Sequence, residues 1–275
     1  MSPVPELALN DGATIPAIGL GTYPLDDEGA VQAVSCALEL GYRLIDTAVA
    51  YGNETGVGRA VARSPVPRDE IVVTTKLPGR DHGYRETLES FARSRARLGL
   101  DLVDLYLIHW PLPRIDRYVA SWRAMIELRA QGRVRSIGVS NFTQAQIERL
   151  ETETGVLPTV NQIELHPGFS QRVMLGYDHT RGIVTQSWTP LGRGDPLSDE
   201  LVASIAAAHG VSPAQVVLRW HVQRGAVPIP KSATPARQAA NLDVFGFALS
   251  VAEMAAVDAL DGRRIGGDPD THEEL

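Results

Sequence analysis

Short apolar runs alternate with longer amphipathic segments along the whole chain, and this alternation restricts the fold more than any other feature of the sequence. Parallel strands joined by crossover helices produce such a pattern. Eight runs predict strands, namely "AIGLGT", "RLIDT", "EIVVTTK", "LVDLYLIH", "VRSIGVS", "TVNQIEL", "GIVTQSW" and "GAVPIP". A doubly wound open sheet would also alternate, but eight evenly spread units in 275 residues favour a single (β/α)8 TIM barrel, which typically takes about 250 residues.

Further elements are predicted before the first barrel strand, after the seventh and near the C-terminus. The stretch "LALNDGATIP" places a turn between two short apolar runs and predicts an N-terminal β-hairpin. Amphipathic patterns predict helices over Glu28–Leu40, Tyr84–Leu98, Tyr118–Gln131, Thr143–Thr154, Leu201–His209, Pro213–Gln223 and Val251–Leu260. Without a long linker between these elements, residues 1–275 are expected to form one barrel domain.

Charge and cysteine content restrict the partners and the compartment. A formal net charge of −7 argues against a general nucleic-acid or anionic-membrane surface, and no run of about 18 apolar residues occurs. The single cysteine, Cys36, excludes an intrachain disulfide and suits a reducing compartment. We therefore expect a cytoplasmic protein that acts on a small molecule. We also expect a monomer, although charge and cysteine content do not determine the oligomeric state.

Polar or amphipathic side chains lie at or near the carboxyl ends of six of the predicted strands. Asp46 ends the second strand, Lys76 the third, His109 the fourth, Ser140 and Asn141 the fifth, Gln162 and Glu164 lie late in the sixth, and Trp188 ends the seventh. Active sites of such barrels gather where the strands end. Because buried polar groups without partners cost about 1–3 kcal/mol each, a shared pocket explains these residues together.

Four residues near these strand ends could form an acid–base apparatus: Asp46, Tyr51, Lys76 and His109. A phenol has a pKa near 10, which a nearby ammonium lowers, so Lys76 could make Tyr51 a better proton donor. A buried ammonium needs a counter-charge, and Asp46 could provide it. His109 could orient a substrate oxygen. Each residue also has an ordinary alternative: Asp46 as a helix N-cap, Lys76 as a solvated strand end, His109 as a core histidine and Tyr51 as a surface ring.

Six stretches, "GYRLIDTAVAYGNETGVGRA", "VTTKL", "DLYLIHWP", "IGVSNF", "NQIELHP" and "IPKSATPARQAANLDVF", resemble the aldo-keto reductase family in order and spacing over nearly the whole chain. The resemblance is to bacterial members of the 2,5-diketo-D-gluconate reductase type. It implies a (β/α)8 barrel that reduces aldehydes, ketones and small dicarbonyls with NADPH and without a metal. It also implies that Asp46, Tyr51, Lys76 and His109 are the catalytic tetrad, with Tyr51 as general acid.

The same resemblance assigns residues to the cofactor and the substrate. Ser140, Asn141 and Gln162 match side chains that bind the nicotinamide carboxamide, and Trp188 matches the ring that stacks on nicotinamide. The residues that bind the adenosine 2′-phosphate in the family correspond here to Lys231, Ser232 and Arg237, and Asn241 corresponds to a residue that contacts the adenine. Gly21, Thr22 and Leu191 complete the implied cofactor set, while Tyr23 and Trp110 are implied to wall the substrate pocket.

Two departures from the family pattern fall at the positions expected to bind adenine and to line the substrate pocket. Ala240 stands where relatives often carry an acidic or amide residue, and the chain finishes "HEEL" where several relatives carry aromatic residues. We therefore expect a relatively open pocket that suits small carbonyls. The loop after Lys76 carries Arg80 and His82, which could attract acidic or phosphorylated substrates.

Other classes of protein are less well supported. "GLGTYP" and "GVGRAV" lack the third glycine of a Rossmann fingerprint, and no Walker-type loop occurs. A regulatory subunit that binds NADPH without efficient turnover remains an alternative, although the tetrad is intact. A metal-dependent barrel hydrolase would use Asp46, His109, Glu164 and His166, but the first strand carries no His-x-His motif.

Overall fold

Eight parallel strands form one sheet in sequential order, each hydrogen-bonded to the next along the chain. The computed structural model describes residues 4–260 and 262–274. After an antiparallel hairpin of β1 (Glu6–Ala8) and β2 (Thr14–Pro16), the sheet contains β3 (Leu20–Gly21), β4 (Leu44–Asp46), β5 (Val72–Leu77), β6 (Val103–Ile108), β7 (Val134–Ser140), β8 (Val160–Glu164), β9 (Val184–Trp188) and β10 (Val227–Pro228). All eight predicted barrel strands and the hairpin are confirmed.

The first and last strands of the sheet meet and close the barrel. A parallel bridge joins Gly21 to Lys231, and the amide of Gly19 donates to the carbonyl of Pro228 at 3.1 Å. A Cβ on Gly19 would lie 2.7 Å from the side chain of Leu44 and 2.8 Å from that of Ile229. Glycine is needed there because the barrel interior has no room for a larger residue.

Helices surround the barrel, and not all of them were predicted. The described helices are α1 (Asp27–Leu40), α2 (Glu54–Arg63), α3 (Tyr84–Leu98), α4 (Tyr118–Ala130), α5 (Gln144–Thr154), α6 (Arg172–Thr180), α7 (Glu200–His209), α8 (Pro213–Gln223), α9 (Pro235–Leu242) and α10 (Val251–Asp258). α2 was missed because Gly56 and Gly58 weaken its local helical signal. A Cβ on either glycine would overlap backbone atoms of Asp27 or Leu98, so close helix packing requires both.

The hairpin covers the amino ends of the strands. Leu9 and Ile15 pack in one buried cluster with Leu44, Leu105, Leu107, Val160, Val184, Val227 and Ile229. Leu44, Val160, Val184 and Val227 are the first residues of their strands. Because this end of the barrel is filled with apolar side chains, the polar strand ends are left to line the opposite mouth.

No single described helix has the length and apolar composition to cross a membrane, although α7 and α8, bent by 89°, pass that test as a pair.

Asp178 on α6 gives the barrel a testable pH dependence. Its side chain is fully buried and accepts a hydrogen bond from Thr185 Oγ1 at 2.8 Å. Burial raises the pKa of Asp178 from an ordinary 3.8 to about 7, although the bonds from Thr185 and Asn161 oppose this. The folded protein therefore keeps this proton between about pH 4 and pH 7, where the unfolded chain has lost it, so the contribution of Asp178 to stability falls as the pH rises through that window.

We expect the Asp178→Asn variant to lose this decline. Relative to the wild type, its free energy of unfolding should rise between pH 4 and pH 7, by up to about 4 kcal/mol. Urea unfolding at several pH values measures the difference, with Asp101→Asn, at an exposed position, as the control. Parallel stability curves for Asp178→Asn and the wild type would show that the buried carboxyl is not the titrating group.

Candidate active site

A cavity of about 790 Å³ opens at the carboxyl ends of the strands, and most of the predicted site residues line it. These are Gly21, Thr22, Tyr23, Asp46, Tyr51, His109, Trp110, Ser140, Asn141, Gln162, Trp188, Leu191 and Lys231. Lys76 lies behind this surface, fully buried, and reaches Tyr51 through its ammonium. Ser232, Arg237 and Asn241 are outside the lining, on and just before α9.

A buried ion pair lies under the cavity floor. Lys76 Nζ is 2.6 Å from Asp46 Oδ1 and also donates to the carbonyl of Thr47 at 3.0 Å. The side chain of Lys76 has no exposed surface and that of Asp46 is 5% exposed. Burial lowers the pKa of Lys76, but Asp46 and then Tyr51 raise it, and the net pKa lies above the ordinary value. Lys76 is therefore an ammonium at neutral pH, and Asp46 is its counter-charge rather than a helix cap.

Tyr51 ends a 3-10 turn over Val49–Tyr51, which the left-handed Gly52 terminates. Its hydroxyl lies 3.1 Å from Lys76 Nζ, and the ammonium is 4.8 Å from the ring centroid. Burial raises the pKa of the phenol, Lys76 lowers it and Asp46 raises it, so that the net pKa lies above 10. The expected lowering of the pKa by Lys76 is present, and desolvation of the phenolate outweighs it.

The ring of His109 lies edge-on to the ring of Tyr51 at the cavity surface, with centroids 5.8 Å apart and an interplanar angle of 74°. Its Nδ1 lies 2.6 Å from Glu274 Oε1. Glu274 Oε2 also accepts a hydrogen bond from the amide of Gly79 at 3.1 Å. Burial would raise the pKa of Glu274, but the close approach of His109 and the hydrogen bond from the amide of Gly79 lower it overall. The carboxylate of Glu274 is therefore charged inside the cavity.

The ends of β7, β8 and β9 are joined by a hydrogen-bond network. Asn141 Nδ2 donates to the carbonyl of His109 at 3.0 Å and to Ser140 Oγ at 3.1 Å, while its Oδ1 accepts from Trp188 Nε1 at 2.7 Å. Gln162 Nε2 donates to Asp46 Oδ2 at 2.8 Å. The backbone of Asn141 is left-handed, with φ at 64°, a conformation that asparagine tolerates better than most residues.

The predicted phosphate residues cluster where β10 leads into α9. Lys231 and Arg237 are exposed, and Ser232 is 5% exposed with its Oγ accepting from the amide of Thr234 at 3.1 Å. Pro235 occupies the first turn of α9. Two cations and a hydroxyl beside a helix start are chemically suited to a phosphate.

Several buried residues that support the site were missed. Asn53 accepts from Thr47 Oγ1 at 2.6 Å and donates to the carbonyls of Thr22 and Leu25, which holds the loop that carries Tyr51. The polar asparagine before α2 was the available signal. The positions of His272 and Glu274 had no signal, because local sequence does not show where a distant segment folds back.

The segment over 262–274 forms part of the cavity wall, although it carries no Phe, Tyr or Trp. The imidazole of His272 packs on Trp110 at a tilt of 42°, with centroids 4.0 Å apart, and Leu275 lies outside the described residues. In the loop after Lys76, His82 does not carry the positive charge that was expected of it. His82 is buried, and burial lowers its pKa to about 4, so it carries no charge that could attract acidic substrates at neutral pH.

The geometry gives no support to a metal site at Glu164. Its carboxylate accepts from the amides of Ile265 and Gly266 at 2.5 and 2.8 Å and pairs with His166 Nε2 at 3.1 Å. Within residues 4–260 and 262–274, no group of three His, Cys, Asp or Glu side chains is placed to hold an ion. Glu164 instead anchors the 262–274 segment to the barrel.

Comparison with known proteins identifies the relatives of this chain. The model of the Aldo/keto reductase family matches residues 17–262. The 2,5-diketo-D-gluconic acid reductase B of Corynebacterium sp. is 52% identical over 277 residues, covering 100% of both chains. A Gox0644 variant in complex with NADPH has a TM-score of 0.95 and 46% identity, covering 99% of this chain and 100% of that one. A Bombyx mori aldo-keto reductase in complex with NADP has a TM-score of 0.91 and 35% identity, covering 98% and 97%.

The buried ion pair predicts a strongly non-additive double-mutant cycle. Asp46→Asn and Lys76→Met should each lower the free energy of unfolding by about 3 kcal/mol or more, because each leaves a buried charge unpaired. The double variant should lose less than the sum by about 1–3 kcal/mol. Urea unfolding measures all three, with Glu28→Gln as the control because its pair with Arg59 is exposed. Additive losses would show that the two charges do not depend on each other.

Proposed function

Because the chain belongs to the aldo/keto reductase family, we propose that it reduces aldehydes, ketones and small dicarbonyls to alcohols with NADPH, using Tyr51 as general acid. One observation carries the assignment of Tyr51: a buried ammonium, Lys76 Nζ, lies within hydrogen-bond distance of both Asp46 and the Tyr51 hydroxyl. Tyr51 itself faces the cavity. A phenol held against an ammonium at the edge of a substrate-sized cavity is suited to proton donation.

The residues around the cavity fit NADPH. Ser140, Asn141 and Gln162 present polar side chains beside Trp188, whose indole is fixed through Asn141. We assign these four to the nicotinamide end, Gly21, Thr22 and Leu191 to the middle of the cofactor, and Lys231, Ser232, Arg237 and Asn241 to the adenosine 2′-phosphate end. A Cβ on Gly21 would lie 3.1 Å from the carbonyl oxygen of Ile229, so glycine at this position lets the two neighbouring backbones approach closely.

When bound, NADPH would supply the hydride. The residues of this chain would then deliver a proton to the carbonyl oxygen of the substrate. Tyr51 would donate it from its hydroxyl, and the Lys76 ammonium would stabilise the phenolate that remains. Asp46 keeps Lys76 charged, as the 2.6 Å contact indicates. Since His109 Nδ1 faces Glu274, His109 Nε2 is the ring nitrogen available to orient the carbonyl oxygen.

The substrate would lie against Tyr23 and Trp110. Tyr23 is 62% exposed and packs on Tyr51, with ring centroids 5.1 Å apart, while Trp110 is 8% exposed and faces Trp188. These rings would form an aromatic wall against which small carbonyl compounds bind.

We also propose that residues 1–275 work as one domain, since relatives align over the full chain. We further propose that the protein is a cytoplasmic monomer, and gel filtration with light scattering would test the oligomeric state.

Removing the Tyr51 hydroxyl should slow the reaction strongly while leaving NADPH binding nearly unchanged. We expect Tyr51→Phe to lower kcat for methylglyoxal reduction by about 10²–10⁴-fold, because general acid catalysis contributes that much. NADPH affinity, measured by fluorescence titration, should stay within about twofold, since only the hydroxyl is removed. Tyr84→Phe removes one hydroxyl from an exposed ring and is the matched control. A Tyr51→Phe variant that keeps more than roughly a tenth of wild-type kcat would refute the assignment.

Cofactor preference should depend on the charges beside α9. Charge-assisted hydrogen bonds contribute about 1.5–3 kcal/mol, so Arg237→Ala should weaken NADPH binding by about 10–100-fold and leave NADH binding nearly unchanged. Fluorescence titration of both cofactors gives the comparison. Arg133→Ala is the control, because Arg133 is an exposed arginine just before β7, at the opposite end of the barrel. Equal losses for NADPH and NADH would mean that Arg237 does not contact the 2′-phosphate.

A further inference from the structure

The carboxylate of Glu274 occupies part of the substrate cavity beside the proposed proton donor. It lines the same cavity as Tyr51 and His109, and its side chain is 15% exposed. The amide of Gly79 donates to Glu274 Oε2 at 3.1 Å, and His109 Nδ1 lies 2.6 Å from Glu274 Oε1. A substrate whose carbonyl reaches Tyr51 and His109 must therefore lie close to a fixed negative charge.

The 262–274 segment is held by several contacts, so Glu274 does not sit in the cavity through one contact alone. Glu164 accepts hydrogen bonds from the amides of Ile265 and Gly266, and the ring of His272 packs on Trp110. A Cβ on Gly79 would overlap the backbone oxygen of Glu274, so glycine at 79 makes room for the segment. The neighbouring Glu273 turns away and lies 3.4 Å from Arg114, outside the cavity.

Beyond its contact with His109, Glu274 has no fixed opposite charge beside it at the reacting end among the cavity residues that the structure describes. Asp46 is neutralised by Lys76 at 2.6 Å. Lys231 and Arg193 also line the cavity, but they belong to the segments that follow β10 and β9, and Lys231 is assigned to the cofactor phosphate. His82, which faces Glu274, Arg117 and Asp81, is neutral at pH 7 because burial lowers its pKa to about 4.

From this arrangement we propose that Glu274 determines substrate specificity by charge: it disfavours carbonyl compounds that carry a carboxylate near the reacting carbon and so selects neutral aldehydes and ketones. The inference rests on the proposed carbonyl reductase function and narrows its substrate class. Two like charges a few ångströms apart in a partly desolvated cavity repel each other strongly. Because the repulsion acts on the anionic substrate alone, the ratio of kcat/KM values for an anionic and a neutral substrate of the same shape reports it.

The test uses phenylglyoxylate and its methyl ester, in which the carboxyl group is bonded directly to the reacting carbonyl carbon and which differ chiefly in charge. Glu274→Gln keeps the shape of the side chain and removes the charge. We expect the ratio of kcat/KM for the acid to that for the ester to rise by about 10-fold or more in Glu274→Gln. Glu273→Gln is the matched control and should leave the ratio within about twofold. An unchanged ratio in Glu274→Gln would overturn the proposal, and so would a fall in the ratio, which would mean that the Glu274 site attracts anions.

A second readout does not depend on turnover. In protein labelled with ¹⁵N-histidine, and without cofactor, the His109 Nδ1 resonance should report the carboxylate that lies 2.6 Å from this nitrogen. Glu274→Gln should shift it and Glu273→Gln should not, with His109→Asn providing the assignment. An unshifted resonance would show that Glu274 does not contact His109, and would overturn the proposal.

Failure of the proposed function can be told apart from failure of this inference. If the wild type reduces neither compound, the reductase assignment fails. Binding of the acid and the ester, followed by quenching of tryptophan fluorescence, then still tests the charge preference, because Trp110 and Trp188 line the cavity. Tighter binding of the ester by the wild type, lost in Glu274→Gln, supports the inference, and equal binding of both compounds contradicts it.

Discussion

The ion pair between Asp46 and Lys76 is the interaction on which the rest of the site depends. An ammonium with no exposed surface remains charged only beside a counter-charge, and Asp46 provides it at 2.6 Å. Both residues lie on neighbouring parallel strands, where β4 pairs with β5, so the barrel sets their separation. Everything proposed for Tyr51 follows from this pair, since a neutral lysine would not stabilise a phenolate.

The same strand ends link the proton donor to the cofactor side of the cavity. Gln162 donates to the second oxygen of Asp46, and Asn141 joins Trp188 to the backbone of His109. Side chains assigned to the nicotinamide are therefore also part of the scaffold that holds the tetrad. A substitution at Gln162 is consequently expected to affect both cofactor binding and proton transfer, because one side chain serves both.

Much of this arrangement could be predicted from the sequence, and the failures have physical causes. Strand ends such as Lys76 and His109 were predictable because a barrel brings all carboxyl ends to one mouth, so sequence position specifies spatial position. The α2 helix was not, since Gly56 and Gly58 serve packing against other helices rather than local helix propensity. The net pKa of Tyr51 depends on how desolvation compares with the Lys76 charge, and the contact of Glu274 with His109 depends on long-range folding. Neither is encoded in a local pattern.

The pH dependence of kcat/KM for aldehyde reduction, compared between the wild type and Lys76→Met, tests the central claim most directly. If the Lys76 ammonium lowers the pKa of the Tyr51 phenol relative to the same buried site without it, Lys76→Met should lower the plateau and move the alkaline limb to higher pH or abolish it. Calorimetric titration with NADPH should show that the variant still binds the cofactor. A reduced plateau with the alkaline limb at its wild-type position would contradict the account, because Lys76 would then be structural without influencing the proton donor.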